Sequence, residues 1–129
     1  MLIKDYMSPS VVTISDNSDY KSAFAVMDKH GIHHLPVVNS SDEVVGILAQ
    51  RDLKTAANCF KEAPVEIGDV MLKHVFTVQL SDTLSNAAEM MIEHKIGCLP
   101  VLDENKQLAG MLTETDLFHA LRDLLDKAA

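Results

Sequence analysis

Thr113 and Asp116 place a hydroxyl and a carboxylate three positions apart in the sequence. Residues at this spacing lie one helical turn apart, so both side chains can face one cleft. A carboxylate can accept hydrogen bonds from both hydroxyls of a ribose, and the free N–H groups at the start of a helix favour a phosphate. These groups could therefore hold a ribose with a neighbouring phosphate, or the aspartate could simply be an acid favoured at the start of a helix.

An incomplete copy of this pattern stands 64 positions earlier. Asp52 matches Asp116, but Ala49 replaces Thr113, so the hydroxyl is missing. Side chains that could donate hydrogen bonds to a phosphate stand nearby instead: they are Arg51, His33 and His34. The matching places of the later copy hold Thr115, Gly97 and Cys98. We therefore expect the later site to hold a ribose better, and the earlier site to be weaker or more dependent on phosphate.

Both patterns belong to an internal repeat. Segments 3–54 and 67–118 align at an offset of 64 without a gap, and 16 of the 52 aligned pairs are identical. Average amino-acid usage gives about one identity in fifteen by chance, so the repeat is genuine. Each copy predicts a strand, a helix, two strands and a helix, which makes the fold class α/β (α+β). The predicted domains are 1–58 and 67–129, with a linker at 59–66.

Apolar periodicity and turn residues place the elements of each copy. The first helix is expected to begin at Ser18 in one copy and at Ser81 or Asp82 in the other, because these residues are typical N-caps. The same helices are expected to end at Gly31 and Lys95. The opening strands are predicted at Val11–Ile14 and Val75–Val78. The last strands are predicted at Val44–Ala49 and Leu108–Thr113, and each contains a glycine that permits the close approach of a neighbouring segment: they are Gly46 and Gly110.

Four motifs recur at matching places: GIHHLPVV (31–38), GILAQRDL (46–53), KIGCLPVL (95–102) and GMLTETDL (110–117). In these motifs the chain resembles tandem CBS domains, the pair known as a Bateman module, over about nine-tenths of its length. The resemblance implies a stand-alone regulatory protein, not an enzyme, whose two repeats pack face to face with pseudo-two-fold symmetry. It also implies a homodimer and a regulatory adenosyl ligand (AMP, ADP, ATP or S-adenosylmethionine), with no required cofactor.

The resemblance further implies two ligand sites. The Ser/Thr-x-x-Asp motif holds the ribose, while residues around the Leu-Pro pair flank the ligand. The lead segment of the other unit, which is the short stretch around Met7 or Met71 before the first strand, flanks it too. For the second repeat these residues are Thr113, Thr115, Asp116, Gly97, Cys98, Leu99, Pro100, Ser8, Val11 and Val12. For the first repeat they are Asp52, Arg51, His33, His34, Leu35, Pro36, Val75 and Phe76. Ligand binding is expected to favour one packing of the units and so to shift a conformational equilibrium.

Composition limits the other classes of function. The chain has 129 residues and a formal net charge of −8, which argues against nucleic-acid binding because such proteins are normally basic. No apolar run approaches the roughly 20 residues that span a membrane, so no membrane partner is expected. The start of the chain lacks the apolar core of a signal peptide, and the two cysteines lack metal-type spacing. We therefore expect a cytoplasmic protein.

Alternative interpretations remain for several residues. Gly31 separates His30 from His33 and His34, so these histidines are not expected to converge on a metal ion, and no metal site is predicted. Cys98 is expected to be a small apolar wall residue rather than a nucleophile. The principal alternative function is a ligand-independent interaction module for an enzyme or transporter partner, and a metal-binding protein or small enzyme ranks last. The C-terminal helix carries an apolar stripe that could form a dimer surface: it consists of Leu117, Leu121, Leu124 and Leu125.

Overall fold

A computed structural model describes residues 1–9, 12–59 and 66–129. The chain forms two compact units. We name each unit after the aspartate near the start of its last matched helix. The Asp52 unit is Val12–Val75, and the Asp116 unit is Met1–Val11 together with Phe76–Ala129.

The two units contain corresponding elements. Within the described residues, the Asp52 unit has β1 (Ile14–Ser15), α1 (Tyr20–His30), β2 (His34–Val38), β3 (Val44–Ala49), α2 (Gln50–Cys59) and α3 (Ile67–Val70). The Asp116 unit has a 3-10 turn (Ile3–Asp5), β4 (Val78–Gln79), α4 (Leu84–His94), β5 (Cys98–Leu102), β6 (Leu108–Thr113) and α5 (Glu114–Ala128). The predicted order of strand, helix, two strands and helix is confirmed in both units, and so is the fold class.

Each unit is built on a sheet of three strands, with β2 or β5 in the middle. In the Asp52 unit β1 runs parallel to β2, which pairs in antiparallel fashion with β3. β4, β5 and β6 are arranged in the same way in the Asp116 unit. Val37 lies opposite Gly46, and Val101 opposite Gly110, so even the pairing register follows the offset of the sequence repeat.

The opening strand of each unit begins later than the sequence predicted. We expected Val11–Ile14 and Val75–Val78, whereas the strands lie at Ile14–Ser15 and Val78–Gln79. Val11 lies outside the described residues. β1 pairs only with Val37 and Val38, because the preceding residue of β2 is Pro36, which has no N–H to offer a neighbouring strand. The prolines at 36 and 100 thus lie fully buried inside strands rather than ending an element.

The predicted N-caps of the first helices were wrong by one or two residues. Asp19 caps α1 by accepting a hydrogen bond from the Ser22 N–H (2.8 Å), and Thr83 caps α4 by accepting one from the Asn86 N–H (3.1 Å). Asp82 is not the cap because its carboxylate accepts a hydrogen bond from the Gln79 N–H in the preceding turn (2.9 Å). The predicted helix ends are confirmed: Gly31 and Lys95 both adopt the left-handed conformation that closes a helix.

Each unit has its own apolar core, which includes a residue from the lead segment of the other repeat. Ile67 is fully buried in the Asp52 unit, and Ile3 is fully buried in the Asp116 unit. The structural units therefore differ from the predicted sequence domains 1–58 and 67–129, which are joined by the linker 59–66. Each structural unit contains the lead segment of the other repeat in place of its own. Most of the linker, residues 60–65, lies outside the described residues.

The lead segments extend the sheets by short backbone pairings. The N–H of Ser8 donates to the Met111 carbonyl (2.9 Å), and the Met111 N–H donates to the Ser8 carbonyl (3.0 Å). Leu72 and Ile47 exchange the equivalent pair of bonds in the Asp52 unit, at 2.8 and 3.0 Å. The expected close approach at Gly46 and Gly110 is confirmed, because a methyl group added at either glycine would overlap its lead segment. Among the helices of the described residues, none is long and apolar enough to cross a membrane.

Candidate functional site

Some of the residues predicted to bind a ligand lie together where a strand turns into a helix. In the Asp52 unit the Gln50 N–H donates to the His33 carbonyl (2.8 Å), and in the Asp116 unit the Glu114 N–H donates to the Gly97 carbonyl (3.1 Å). These bonds hold the loop before β2 or β5 against the first residue of α2 or α5. The structure therefore brings the residues before each Leu-Pro pair next to the Asp-containing helix start.

Thr113 and Asp116 lie together at the start of α5. The backbone N–H of Thr113 donates to Oδ2 of Asp116 (2.8 Å), and the Thr113 hydroxyl lies 3.4 Å from the same oxygen. Asp116 therefore stabilises the helix start, which is the simpler role for an acid at this position. Because both contacts of the Asp116 carboxylate with Thr113 use Oδ2, the second oxygen, Oδ1, can accept bonds from a ligand. The capping role and a binding role are compatible.

The strand β5 supplies a buried wall beside this pair. Cys98 lies opposite Thr113 in the β5–β6 pairing and is only 7% exposed. Burial, together with the nearby negative charge of Glu114, raises the pKa of the Cys98 thiol to about 11. The thiol is uncharged near neutral pH, which supports a wall residue rather than a nucleophile. Leu99 and Pro100 are fully buried, so any contribution of theirs to a site is made by the backbone.

Glu114 is a residue of this region that the sequence reasoning missed. A methyl group placed on Gly97 would lie 3.3 Å from both the carboxyl carbon and Oε1 of Glu114, so the carboxylate lies directly beside this glycine. Thr115, like Glu114, is exposed on the helix. Glu114 is the first x of the Thr-x-x-Asp pattern, and its place at the helix start was the one signal that could have singled it out.

The Asp52 unit has a different set of side chains at the same place. His33 Nδ1 and Gln50 Oε1 lie within hydrogen-bonding distance at 2.8 Å, so the imidazole replaces the glycine and an amide replaces the carboxylate. Asp52 and Arg51 are both exposed, and His34 is half-buried opposite Ala49 in the β2–β3 pairing. Leu35 and Pro36 are fully buried, like their counterparts. Gln50, like Glu114, was not among the site residues predicted from the sequence.

The lead-segment residues are distributed over both units. Ser8 pairs with Met111 in the Asp116 unit, and Val75 belongs to the Asp52 unit, in each case the unit that holds the rest of its predicted set. Val12 was predicted for the site of the second repeat but belongs to the Asp52 unit. Phe76 was predicted for the site of the first repeat but belongs to the Asp116 unit. The Phe76 ring stacks on His94 with ring centroids 3.8 Å apart, so α4 covers one of its faces.

Two surface clefts lie away from all of these residues. One of about 410 Å³ is next to the start of α1, and one of about 310 Å³ is next to the turn before β6. Within residues 1–9, 12–59 and 66–129, no three His, Cys, Asp or Glu side chains lie close enough together to hold a metal ion. The cleft next to α1 is lined by Asp16, Asn17, Ser18, Asp19, Tyr20, Lys21 and Glu66. The cleft next to the turn before β6 is lined by Gln79, Leu80, Ser81, Leu102, Asp103, Glu104 and Asn105.

Comparison with known proteins agrees with the repeated fold and its paired motifs. The family model of the CBS domain matches residues 3–58 and again residues 67–123. The chain belongs to the CBS domain family. The two matches cover both copies of the internal repeat, so the resemblance inferred from the motifs is confirmed.

Solved structures of CBS domain pairs share the fold. The CBS domain pair of protein MJ0100, in complex with 5′-methylthioadenosine and S-adenosyl-L-methionine, is 26% identical with a TM-score of 0.85. The similarity covers 95% of this chain and 97% of that one. CBSX2 in complex with AMP is 25% identical with a TM-score of 0.80, over 95% of this chain and 97% of that one. Both similar proteins hold adenosyl compounds.

A curated relative is a longer protein. The homoserine O-acetyltransferase of Methanocorpusculum labreanum is 36% identical over 118 residues, which are 91% of this chain but 23% of that protein. The chain spans about a quarter of the length of this and similar curated relatives. The similarity therefore concerns the CBS pair within a larger protein.

Proposed function

We propose that this CBS pair is a regulatory module that binds an adenosyl ligand. The observation that carries the proposal is the Thr113–Asp116 pair, whose carboxylate caps α5 through Oδ2 and keeps Oδ1 for the hydroxyls of a ribose. Two similar CBS pairs hold AMP or the sulfur-containing adenosyl compounds, which supports this ligand class. The module acts by binding rather than by catalysis. In keeping with this role, burial keeps the Cys98 thiol uncharged, so it is a poor nucleophile.

The ligand regulates by stabilising one conformation of the protein over another. A ligand shifts such an equilibrium only as far as its affinities for the two conformations differ. The Thr113–Asp116 pair is suited to this role because the carboxylate that caps α5 also faces the ligand. Ribose binding therefore acts on the start of α5 and through it on the whole helix.

The exposed face of α5 favours a homodimer as part of this function. Phe118, Leu121 and Leu125 follow each other at helical spacing and are 64%, 50% and 61% exposed. An apolar stripe of this kind is a candidate for self-association through a two-fold axis. We propose a homodimer of this kind in the cytoplasm, and sedimentation at micromolar concentration distinguishes it from a monomer.

Isothermal titration calorimetry tests the ligand proposal. We expect AMP, 5′-methylthioadenosine or S-adenosylmethionine to bind, and Asp116→Asn to weaken ribose binding at the Asp116 site by about tenfold, since hydrogen bonds to a charged acceptor contribute about 1.5–3 kcal/mol. Asparagine keeps an oxygen that can cap α5, so the variant isolates the charge. Glu104→Gln removes one exposed carboxylate in the turn before β6 and serves as the control.

Other outcomes of the same titrations would overturn the proposal. Heat from divalent metals alone would indicate a metal-binding protein. The absence of heat from every adenosyl compound would favour the ligand-independent interaction module.

A further inference from the structure

We propose that the two units select ligands by charge. The Asp116 unit takes adenosyl ligands whose 5′ substituent is uncharged or positive, and the Asp52 unit takes adenine nucleotides that carry phosphate. Glu114 and Gln50 determine the difference. This inference rests on the proposed function, because it names the ligand class of each site.

Glu114 places a negative charge where a phosphate would bind. It is the first residue of α5, and the N–H groups at a helix start are the usual partners of a phosphate. Its carboxylate lies beside Gly97, within 3.3 Å of the position a side chain on that glycine would occupy. The negative charge that the helix start attracts is therefore already supplied by the protein.

No positive side chain offsets this charge among the residues predicted for the Asp116 site. Apart from the carboxylate of Asp116, that set contributes hydroxyls, the Cys98 thiol and apolar groups, and Glu114 adds a second carboxylate. A phosphate group would meet two negative charges there. A methylthio or sulfonium group would meet no repulsion, and the sulfonium would be attracted.

The Asp52 unit has the opposite balance at equivalent positions. Gln50 is uncharged, and its Oε1 lies 2.8 Å from Nδ1 of His33, which takes the place of Gly97. Arg51 takes the place of Thr115 and supplies a full positive charge next to Asp52. Arginine is well suited to phosphate because its planar group offers several donors at once. A phosphate in this unit therefore meets a neutral amide, an imidazole and a guanidinium.

An exchange of the two determinants tests the inference. We expect Glu114→Gln to raise the affinity of the Asp116 site for AMP by about tenfold, because one negative charge near the phosphate is removed. Its affinity for 5′-methylthioadenosine, which has no phosphate, should stay within about twofold of the wild-type value. The reciprocal Gln50→Glu should lower AMP affinity by about tenfold. Glu104→Gln changes the net charge of the protein equally, away from both sites, and should leave both affinities unchanged.

The outcomes separate this inference from the proposed function. If 5′-methylthioadenosine and AMP bind the wild-type protein but Glu114→Gln alters both affinities equally, or neither, charge selection is refuted and adenosyl binding stands. If no adenosyl compound binds the wild-type protein, both fail. Glu114 is exposed, so its replacement by glutamine is compatible with folding, and a thermal melt of each variant checks this.

Discussion

In the Asp52 unit Leu35, Val37 and Leu48 are fully buried, and in the Asp116 unit Leu99, Val101 and Leu112 are buried equally at the same places. At the strand-to-helix junction the units diverge, since an imidazole and an amide in one correspond to a glycine and a carboxylate in the other. The repeat has thus kept the residues that the fold requires. It has changed residues of the proposed ligand sites.

The outer helix faces differ in the same way. Phe118 and Ile92 are 64% and 78% exposed in the Asp116 unit, whereas Lys54 and Asp28 occupy the equivalent positions of the Asp52 unit. An exposed charge is well hydrated, while an exposed apolar ring or branched side chain gains by being covered. Self-association is therefore expected through the Asp116 unit rather than through both units alike.

The largest stability difference between the units is expected at their matched glycines. A methyl group on Gly110 would overlap the backbone carbonyl of Ser8, whereas on Gly46 it would overlap the side-chain sulfur of Met71, which can move aside. We expect Gly110→Ala to lower the free energy of unfolding by about 3 kcal/mol and Gly46→Ala by about 1 kcal/mol. Urea denaturation measures both.

Gly68→Ala is the control for this pair, because no atom lies within 4 Å of a methyl group at that position. Its free energy of unfolding should match or slightly exceed that of the wild-type protein. A loss at Gly46 equal to that at Gly110 would show that the two lead segments are held in the same way.

A smaller difference is expected at the helix ends. Gly31 ends α1 with φ 62°, and Lys95 ends α4 with φ 54°, in a region that side chains with a Cβ adopt at a cost. Gly31→Ala should therefore lower the free energy of unfolding by about 1 kcal/mol, and Lys95→Gly should raise it by up to about 1 kcal/mol. Thermal melts give both values, and a destabilising Lys95→Gly would contradict the account.

The smallest effect concerns a contact that only the Asp116 unit has. The Tyr6 hydroxyl donates to Oδ2 of Asp123 (2.7 Å), while Val70 and Cys59 stand at the equivalent positions. This hydrogen bond lowers the pKa of Asp123 below 3.8, with a smaller contribution from Arg122, and it raises the pKa of Tyr6 above 10.0. Both side chains are only half-buried and remain in contact with water, so the expected contribution to stability is slight.

The two pKa shifts fix the pH dependence of that contribution. Because the pKa of Asp123 is lowered on folding, its stabilisation is present above the unfolded pKa and is lost as the pH falls through the folded pKa. Because the pKa of Tyr6 is raised, its stabilisation is lost as the pH rises through the folded pKa. The difference in urea midpoint between wild type and Tyr6→Phe should therefore be constant from about pH 5 to 9 and shrink outside that range. Tyr20→Phe in the Asp52 unit should show no such profile.

The sequence predicted the parts of the fold that depend on local pattern. β3 and β6 have the predicted bounds, Val44–Ala49 and Leu108–Thr113, because their apolar runs and flanking polar turns are local signals. β1 and β4 were placed too early because two-residue strands are defined by their partners, and only pairing with β2 and β5 sets their limits. The cap at Thr83 was missed because Asp82 is an equally typical N-cap residue in sequence. Only the structure shows that the Asp82 carboxylate accepts its hydrogen bond from Gln79 in the preceding turn.

The candidate site was likewise predictable only where it depends on local sequence pattern. The three-residue spacing sufficed to place Thr113 and Asp116 together at a helix start, although their role toward a ligand stays a prediction. Glu114 and Gln50 were missed because their one local signal, a place at the start of a helix, does not show which side chains lie beside them. Only the backbone bonds from these residues to Gly97 and His33 bring distant loops beside them. Such contacts form between residues 17 positions apart and are set by the β-hairpin.

The central claim is that equivalent aspartates serve different ligands. Titration of 5′-methylthioadenosine, which has a ribose and no phosphate, into wild type, Asp116→Asn and Asp52→Asn tests it most directly. We predict that Asp116→Asn weakens binding by about tenfold or more and that Asp52→Asn changes it by less than about twofold, because the Asp52 site lacks the threonine hydroxyl and depends on phosphate. Equal losses from the two variants would contradict the account.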